Sequence, residues 1–392
     1  MTERPGPAAR DIGLYVHWPY CTRICPYCDF NVVRDRGRTD AQAALAEAIM
    51  ADLRAQAAGT GPRRLVSVFF GGGTPSLMAP EWVGRILDAA RAAFAPAPDL
   101  EITLEANPTD AESERFAALR ASGVARLSLG LQSLNDHALA FLGRTHRAAE
   151  GRRAAELGAR IFPRLSLDLI YALPAQSPAA WRAELADAIA LGPEHVSAYQ
   201  LTIEPGTAFA RAVERGRLAP APEALAAELY ETTGEVLGRA GFVPYEVSNH
   251  ALGAAARSRH NLLYWSGGDW LGVGPGAHGR ITDGPGVRWA TRAARQVQSY
   301  VDLVGRRGCG LEERSRLSPA EVGLERLLMG LRTLEGVRLK ELEALGIPEA
   351  ALRSSLERGL IARAGERIAA TPRGRLVLDA VTLDLARAAK AG

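Results

Sequence analysis

Six or seven times before residue 250, the chain alternates a short apolar run with a helix-forming stretch. The apolar runs are Gly13-Leu-Tyr-Val-His-Trp18, Leu65-Val-Ser-Val-Phe-Phe70, Glu101-Ile-Thr-Leu-Glu105, Val124-Ala-Arg-Leu-Ser-Leu129, Leu165-Ser-Leu-Asp-Leu-Ile170 and His195-Val-Ser-Ala-Tyr-Gln-Leu201. A short run at Phe242-Val-Pro-Tyr-Glu246 closes the series. Helical segments over 40–57, 81–93, 112–121, 179–190 and 223–240 separate them, and a helical region starts at Asp136. Strands joined by long helices assemble as βαβ units in a parallel sheet. This number of units predicts an α/β fold shaped as a full or partial barrel, not a sandwich.

Polar and glycine-rich positions recur just after these runs: Gly71 to Thr74, Glu105-Ala-Asn107, Gln132 and Asp168. In α/β folds, ligands bind at the C-terminal ends of strands. Several such groups on one rim point to a ligand site there.

The pattern changes near residue 300. Helices are expected over 317–332, 339–345 and 349–358, then a two-stranded pair at Leu360-Ile-Ala-Arg363 and Arg367-Ile-Ala-Ala370, with Thr371 capping a last helix. That order predicts a small winged-helix-like domain. The expected divisions are a short flexible N-terminus over 1–12, an α/β barrel over 13–250, a connecting and substrate-side region over 251–310, and a helical C-terminal domain over 311–392. A winged-helix shape alone does not fix function, and no basic recognition helix stands out.

Charge excludes some classes. Of 392 residues, 23% are charged and the formal net charge is +3, with arginines spread along helices and not gathered in a tail. This predicts no nucleic-acid partner. Residues 1–10 lack the apolar run of a signal peptide, and no stretch of about 18 uninterrupted apolar residues is present. The expectation is a cytoplasmic protein, with peripheral contact to the inner face of a membrane left open.

Three of the four cysteines cluster in Cys21-Thr-Arg-Ile-Cys25-Pro-Tyr-Cys28. They do not make a disulfide scaffold, and free thiolates suit a reducing compartment. Zinc sites usually take paired cysteines from two segments. Here the second pair is missing, although His17 or Cys309 would complete one. Thiolates also hold iron–sulfur clusters. Three of them leave one iron of a four-iron cube open to a ligand.

The Cys-x3-Cys-x2-Cys run after a first strand resembles the signature of the radical S-adenosylmethionine superfamily. The phrases Tyr15-Val-His-Trp-Pro-Tyr-Cys21, Phe70-Gly-Gly-Gly-Thr-Pro-Ser76, Leu142-Gly-Arg-Thr-His146 and Asp168-Leu-Ile-Tyr171 resemble the oxygen-independent coproporphyrinogen III oxidase family. Tyr199-Gln-Leu-Thr-Ile-Glu-Pro-Gly206, Tyr245-Glu-Val-Ser-Asn249, Ser258-Arg-His-Asn-Leu262 and Gly272-Val-Gly-Pro-Gly-Ala-His-Gly279 look most like its heme chaperone branch. The resemblance covers roughly residues 10 to 385.

The resemblance implies a partial or open (β/α) TIM-like barrel of the radical S-adenosylmethionine type. It implies a [4Fe–4S] cluster on Cys21, Cys25 and Cys28, with S-adenosylmethionine at the open iron. One electron then cleaves the sulfonium to methionine and a 5′-deoxyadenosyl radical. Tyr15, Tyr27, Gly72, Gly73, Thr74, Glu105, Gln132, Arg144 and Asp168 are the implied cofactor residues. In the bland alternative the glycines make a tight turn and the charged groups pair at the surface.

One departure narrows the function. The oxidase to which this chain is similar has a fourth cysteine two positions after the third, where this chain has Phe30. The oxidase's long N-terminal extension is also reduced here. The resemblance therefore implies a heme chaperone, with heme as cargo and respiratory apo-hemoproteins as acceptors. A reductant such as a flavodoxin or ferredoxin and a homodimer accompany that picture. The competing expectations are a coproporphyrinogen III oxidase, or another radical enzyme such as a methyltransferase, so enzymatic turnover stays open. His250, His260 and His278 are candidate heme contacts, each equally readable as a structural histidine. Arg257 or Arg259 is a candidate for the propionates.

Overall fold

A computed structural model describes residues 10–391. Residues 1–9 of the expected N-terminal segment, and residue 392, lie outside the described residues. The first strand, β1, spans Arg10–Trp18 and so begins earlier than the apolar run. The series continues through α1 (Thr39–Ala58), β2 (Arg63–Gly72), α2 (Pro80–Ala93), β3 (Ala95–Ala106), α3 (Ser113–Ala121), β4 (Arg126–Gln132), α4 (Ala148–Ile161), β5 (Arg164–Tyr171), α5 (Pro178–Ala190) and β6 (His195–Gln200). Each strand pairs in parallel with the next.

β1 to β6 lie in the sheet in the same order as in the sequence. Every crossover therefore steps the same way. Right-handed crossovers then put the helices on one face and leave the other as an interior. The strand order has two ends, so the barrel is open.

Side chains alternate across each strand. Ile12, Leu14, Val16 and Trp18 are fully buried in the main core, which also takes Leu45, Ile49 and Leu53 of α1 and Val83, Ile86 and Leu87 of α2. The alternate positions carry the polar set. Ser128 Oγ donates to Asp168 Oδ2 at 2.9 Å, Ser166 Oγ meets His195 Nδ1 at 2.7 Å, and Ser67 Oγ meets His260 Nδ1 at 2.9 Å. The interior of this sheet thus carries buried polar side chains that satisfy one another by hydrogen bonds.

The run at 242–246 does not extend the parallel series. Only Val243–Pro244 is a strand, and it pairs antiparallel with β7 (Asn249–Ala251) on the outer edge. Pro244 lacks an N–H, which confines it to an edge. The seventh parallel strand comes instead from β8 (Asp269–Val273), which joins β1 from the other side. Before it, α6 (Glu223–Arg239) and α7 (Arg259–Trp265) are helical. Glu101 accepts from the N–H groups of Arg259 and His260 at 3.1 Å each, which seats the first turn of α7 against β3. Three antiparallel strands follow β8 outward: β9 (His278–Thr282), β10 (Arg288–Ala293) and β11 (Leu311–Arg316).

A second hydrophobic cluster gathers Leu327, Leu331, Val337, Leu342, Leu360, Ile361, Ile368 and Leu385. Its sheet has three strands, Val337–Arg338, Arg367–Ala370 and Ile361–Ala364, one more than the sequence pattern suggests. Helices Pro319–Gly330, Glu349–Glu357 and Leu378–Ala391 surround it. Among the described residues, no helix is long and apolar enough to cross a membrane.

Candidate functional site: a cysteine-lined cavity at the strand ends

The three cysteines follow β1 directly, in a loop closed at its base. Tyr20 and Cys21 pair in parallel with Val33 and Arg34. Val33 N–H donates to Pro19 O at 2.8 Å and Asp35 N–H to Cys21 O at 2.7 Å. Within the loop, Cys28 N–H closes a turn on Cys25 O at 3.1 Å.

The glycine run after β2 supports this loop from beside it. Gly73 N–H donates to Trp18 O at 2.7 Å, and Thr74 N–H to Tyr20 O at 2.8 Å. A Cβ on Gly73 would lie 2.7 Å from the backbone of Pro19 and Tyr20. Gly72 adopts a φ of 109°, and a Cβ there would strike the His17 ring at 2.6 Å. The glycines therefore answer first to packing: only a backbone without side chains fits so close to the cysteine loop.

A cavity of about 460 Å³ opens between this loop and the strand ends. Cys21, Cys25, Cys28, Tyr27, Gly72, Gly73, Thr74, Glu105, Gln132, Arg144 and Asp168 all line it. Asn107, Ser128 and Tyr199 line it as well. Tyr15 does not. It lines an adjoining cavity that shares Asp29, Phe30, Gly72 and Glu105 with the first. Its hydroxyl lies 3.0 Å from His17 Nδ1.

Donors point at two of the sulfurs. Thr74 Oγ1 lies 3.5 Å from Cys21 Sγ, and Arg144 Nη1 lies 3.5 Å from Cys25 Sγ. Asn107 links these two, donating to Thr74 Oγ1 at 2.8 Å and accepting from Arg144 Nη2 at 2.5 Å. Arg144 is fixed further by Gly130 O at 2.9 Å. Burial pushes the Cys21 thiol above its ordinary range, opposed by the Thr74 hydrogen bond and by Arg144. Burial likewise pushes the Cys28 thiol up to about 11. Among the described residues, no three His, Cys, Asp or Glu side chains are grouped to hold a single metal ion.

Two carboxyls form the cavity floor. Burial and the neighbouring Asp168 raise Glu105 to about 8. Burial also raises Asp168, against hydrogen bonds from Ser197 and Ser128. Both are poised to keep or lose a proton as a ligand requires. Gln132, at the end of β4, holds a φ of 65°. For a residue with a Cβ this is a strained conformation of the kind that collects at ligand sites.

The candidate histidines separate. His250 sits on β7, between β6 and the edge strand Val243–Pro244, at 5% exposure and His260 on α7 at 2%, and neither lines either cavity. His278, on β9, is exposed and lines the adjoining cavity. Arg259 pairs with Asp99 at 2.6 Å and Arg257 lies 3.9 Å from Glu335, so both face away from the two cavities.

Two residues tied to the site are not among the expected cofactor residues, although Asn107 belongs to the expected rim. Asn107 follows Glu105 by two positions at a strand end, and its rim location was the available signal. Asn31 had none. Its side-chain amide donates to Pro275 O at 2.8 Å and Arg295 O at 2.9 Å, and its own carbonyl meets His17 Nε2 at 2.8 Å. These partners lie over 240 positions away for two of the three bonds, so sequence proximity gives no hint.

Comparison with known proteins places this geometry. Residues 15–188 match the radical SAM superfamily, and residues 317–377 match the HemN C-terminal domain. The chain is 47% identical to the bovine (Bos taurus) mitochondrial radical S-adenosyl methionine domain-containing protein 1, over 86% of this chain and 76% of that protein. It is 38% identical to the heme chaperone HemW of Mycobacterium tuberculosis, over 98% of this chain and 97% of the relative, and 34% identical to that of Escherichia coli, over 94% and 97%. In fold it resembles the coproporphyrinogen III oxidase HemN of Escherichia coli with a TM-score of 0.79, covering 96% of this chain and 90% of the other at 20% identity. The chain therefore belongs to the HemN-like family of the radical SAM superfamily, in its HemW branch.

Proposed function

We propose that this chain is a heme chaperone that carries a [4Fe–4S] cluster and S-adenosylmethionine. It binds heme and delivers it to respiratory apo-hemoproteins. The observation that carries this reading is the single cavity onto which three thiols, a glycine edge and two raised carboxyls converge. The donor set fits the cluster. Three soft sulfur ligands share one wall, and a neutral and a charged donor point at two of the sulfurs. When bound, such a cluster supplies one electron to a ligand at its open iron.

The chain's own groups suit the second cofactor too. The N–H groups of Gly72, Gly73 and Thr74 are already paired. What this segment retains for a ligand is acceptor oxygen, which matches a protonated amine. Arg144 offers a guanidinium to a carboxylate. Glu105 and Asp168 offer acceptors to hydroxyls, and Tyr27 closes the side of the cavity beside Cys25 and Cys28.

A one-electron donor of the flavodoxin or ferredoxin type, a homodimeric state and a cytoplasmic setting complete the proposal. The likeness to the oxidase is one of fold, and Phe30 stands at the cavity rim where a further thiol would extend the ligand set. Anaerobic purification with iron and sulfide analysis, then heme titration and transfer to an apo-acceptor, tests the reading. Replacing Cys21, Cys25 or Cys28 with alanine is expected to remove iron and sulfide. Full retention of both, or no heme uptake by cluster-loaded protein, would overturn it.

A further inference from the structure

We infer that the adjoining cavity is the cargo site, with His278 as the ligand to heme iron and Arg295 as the partner of a propionate. The inference rests on the heme-chaperone reading and assigns that reading a place.

The cavity holds about 700 Å³, within the range of about 300–1,000 Å³ typical of small-molecule sites. Its wall combines what an iron tetrapyrrole with two carboxylate arms requires. Tyr264 supplies a half-buried aromatic wall, backed by the nearly buried Trp270 with ring centroids 4.2 Å apart. Phe30, 62% exposed, supplies an apolar edge where the two cavities meet. Such surface is what a macrocycle covers on binding.

His278 is the imidazole placed to reach such a ligand. It is exposed, and among the described residues its ring makes no hydrogen bond. Partial shielding of the ring from water, then the nearby Arg280 and Arg292, lower its pKa. The neutral ring, the form that binds metal, is therefore present at neutral pH. The alternatives are committed elsewhere. His17 also lines the cavity, but its two nitrogens meet Tyr15 Oη and Asn31 O at 3.0 and 2.8 Å. His260 has an unpaired Nε2, yet it lies sealed beneath Tyr264 with ring centroids 4.6 Å apart.

Two guanidiniums flank the same opening. Arg292 faces His278 directly across the β9–β10 pair, but Glu312 and Glu313 already hold it at 3.1 Å each. Arg295 has no acidic partner among the described residues. Its Nε donates to Asn31 Oδ1 at 3.2 Å, which leaves its remaining N–H groups for a carboxylate.

The test is an anaerobic hemin titration of the full-length, cluster-loaded protein, read by the Soret band and low-temperature EPR. His278→Ala is expected to lose the imidazole signature and to bind about tenfold more weakly or worse. His278→Met is expected to shift the spectrum toward thioether ligation, which keeps the test sound if alanine perturbs folding. Arg295→Glu is expected to weaken binding with the iron spectrum unchanged. Wild-type binding with an unchanged His278→Ala spectrum and affinity would overturn the site while leaving the chaperone reading intact. The same holds if His260→Ala alone removes the signature. Failure of the wild-type protein to bind hemin would overturn both.

Discussion

Arg144 donates to the side-chain oxygen of Asn107 across 2.5 Å, and through that bond the donors to two different cysteines become one unit. Arg144 touches Cys25, Asn107 holds Thr74, and Thr74 touches Cys21. The three residues come from three separate strand ends or loops, so the relay locks the barrel rim to the cysteine loop.

Breaking this relay should loosen whatever the thiolates hold. Removing a charge-assisted hydrogen bond costs about 1.5–3 kcal/mol. Asn107→Ala should therefore speed iron loss about tenfold or more, measured as iron and sulfide remaining after anaerobic reconstitution and gel filtration. Arg144→Lys should not rescue Arg144→Ala, because one ammonium cannot replace a planar fork that reaches Cys25, Asn107 and Gly130 together. Retention equal to wild type in both variants would show that the relay does not support the site.

The glycine run offers a sharper steric test. Gly73→Ala would bring a Cβ to 2.7 Å from backbone atoms of Pro19 and Tyr20, which cannot rotate away. Gly71→Ala meets only side-chain atoms of Phe69 and Tyr15, at 3.0 Å or more. Gly73→Ala should lower stability by about 1–3 kcal/mol, and Gly71→Ala by less. Thermal or denaturant unfolding of the three proteins checks the order, and the reverse order would refute it.

Glu105 gives the ligand-free protein a pH dependence whose sign is fixed. Its ordinary pKa is 4.5 and burial beside Asp168 raises it to about 8 in the folded state. The folded state thus binds more protons than the unfolded state between those values. Its contribution is fully present below pH 4.5 and is lost as pH rises through about 8. Glu105→Gln cannot ionise, so its melting temperature should gain on wild type as pH rises across that window. Parallel melting curves for the two proteins would count against the assignment.

The strand series was legible because each apolar run is short, bounded and followed by a long helix. The rim was legible for the same reason: Thr74, Glu105 and Gln132 stand at or just past strand ends, whereas Asp168 lies within β5, three residues short of its end. The strands β8 to β11 were not. β8 reads Asp-Trp-Leu-Gly-Val and sits among glycines, and its partner β1 lies more than 250 residues earlier. No local pattern encodes such a pairing. The close packing of Gly72 against His17 and of Gly73 against Pro19 likewise appears only once two distant segments meet.

Asn31 is where that hidden pairing matters most for the site. Its amide donates to two backbone carbonyls, of Pro275 and Arg295, and so fastens the cysteine loop to the segments flanking β9 and β10. Asn31→Ala removes both donors from one half-buried and one exposed carbonyl, at about 0.5–1.5 kcal/mol per bond. Asn31→Asp has nearly the same shape, but it turns an acceptor toward two acceptors. The isosteric change should therefore be the more damaging one. Hydrogen exchange over residues 22–32 should rise in Asn31→Ala and rise further in Asn31→Asp, with faster cluster loss in air in the same order. If the aspartate variant protects the loop as well as asparagine does, the two carbonyl bonds are not what holds it.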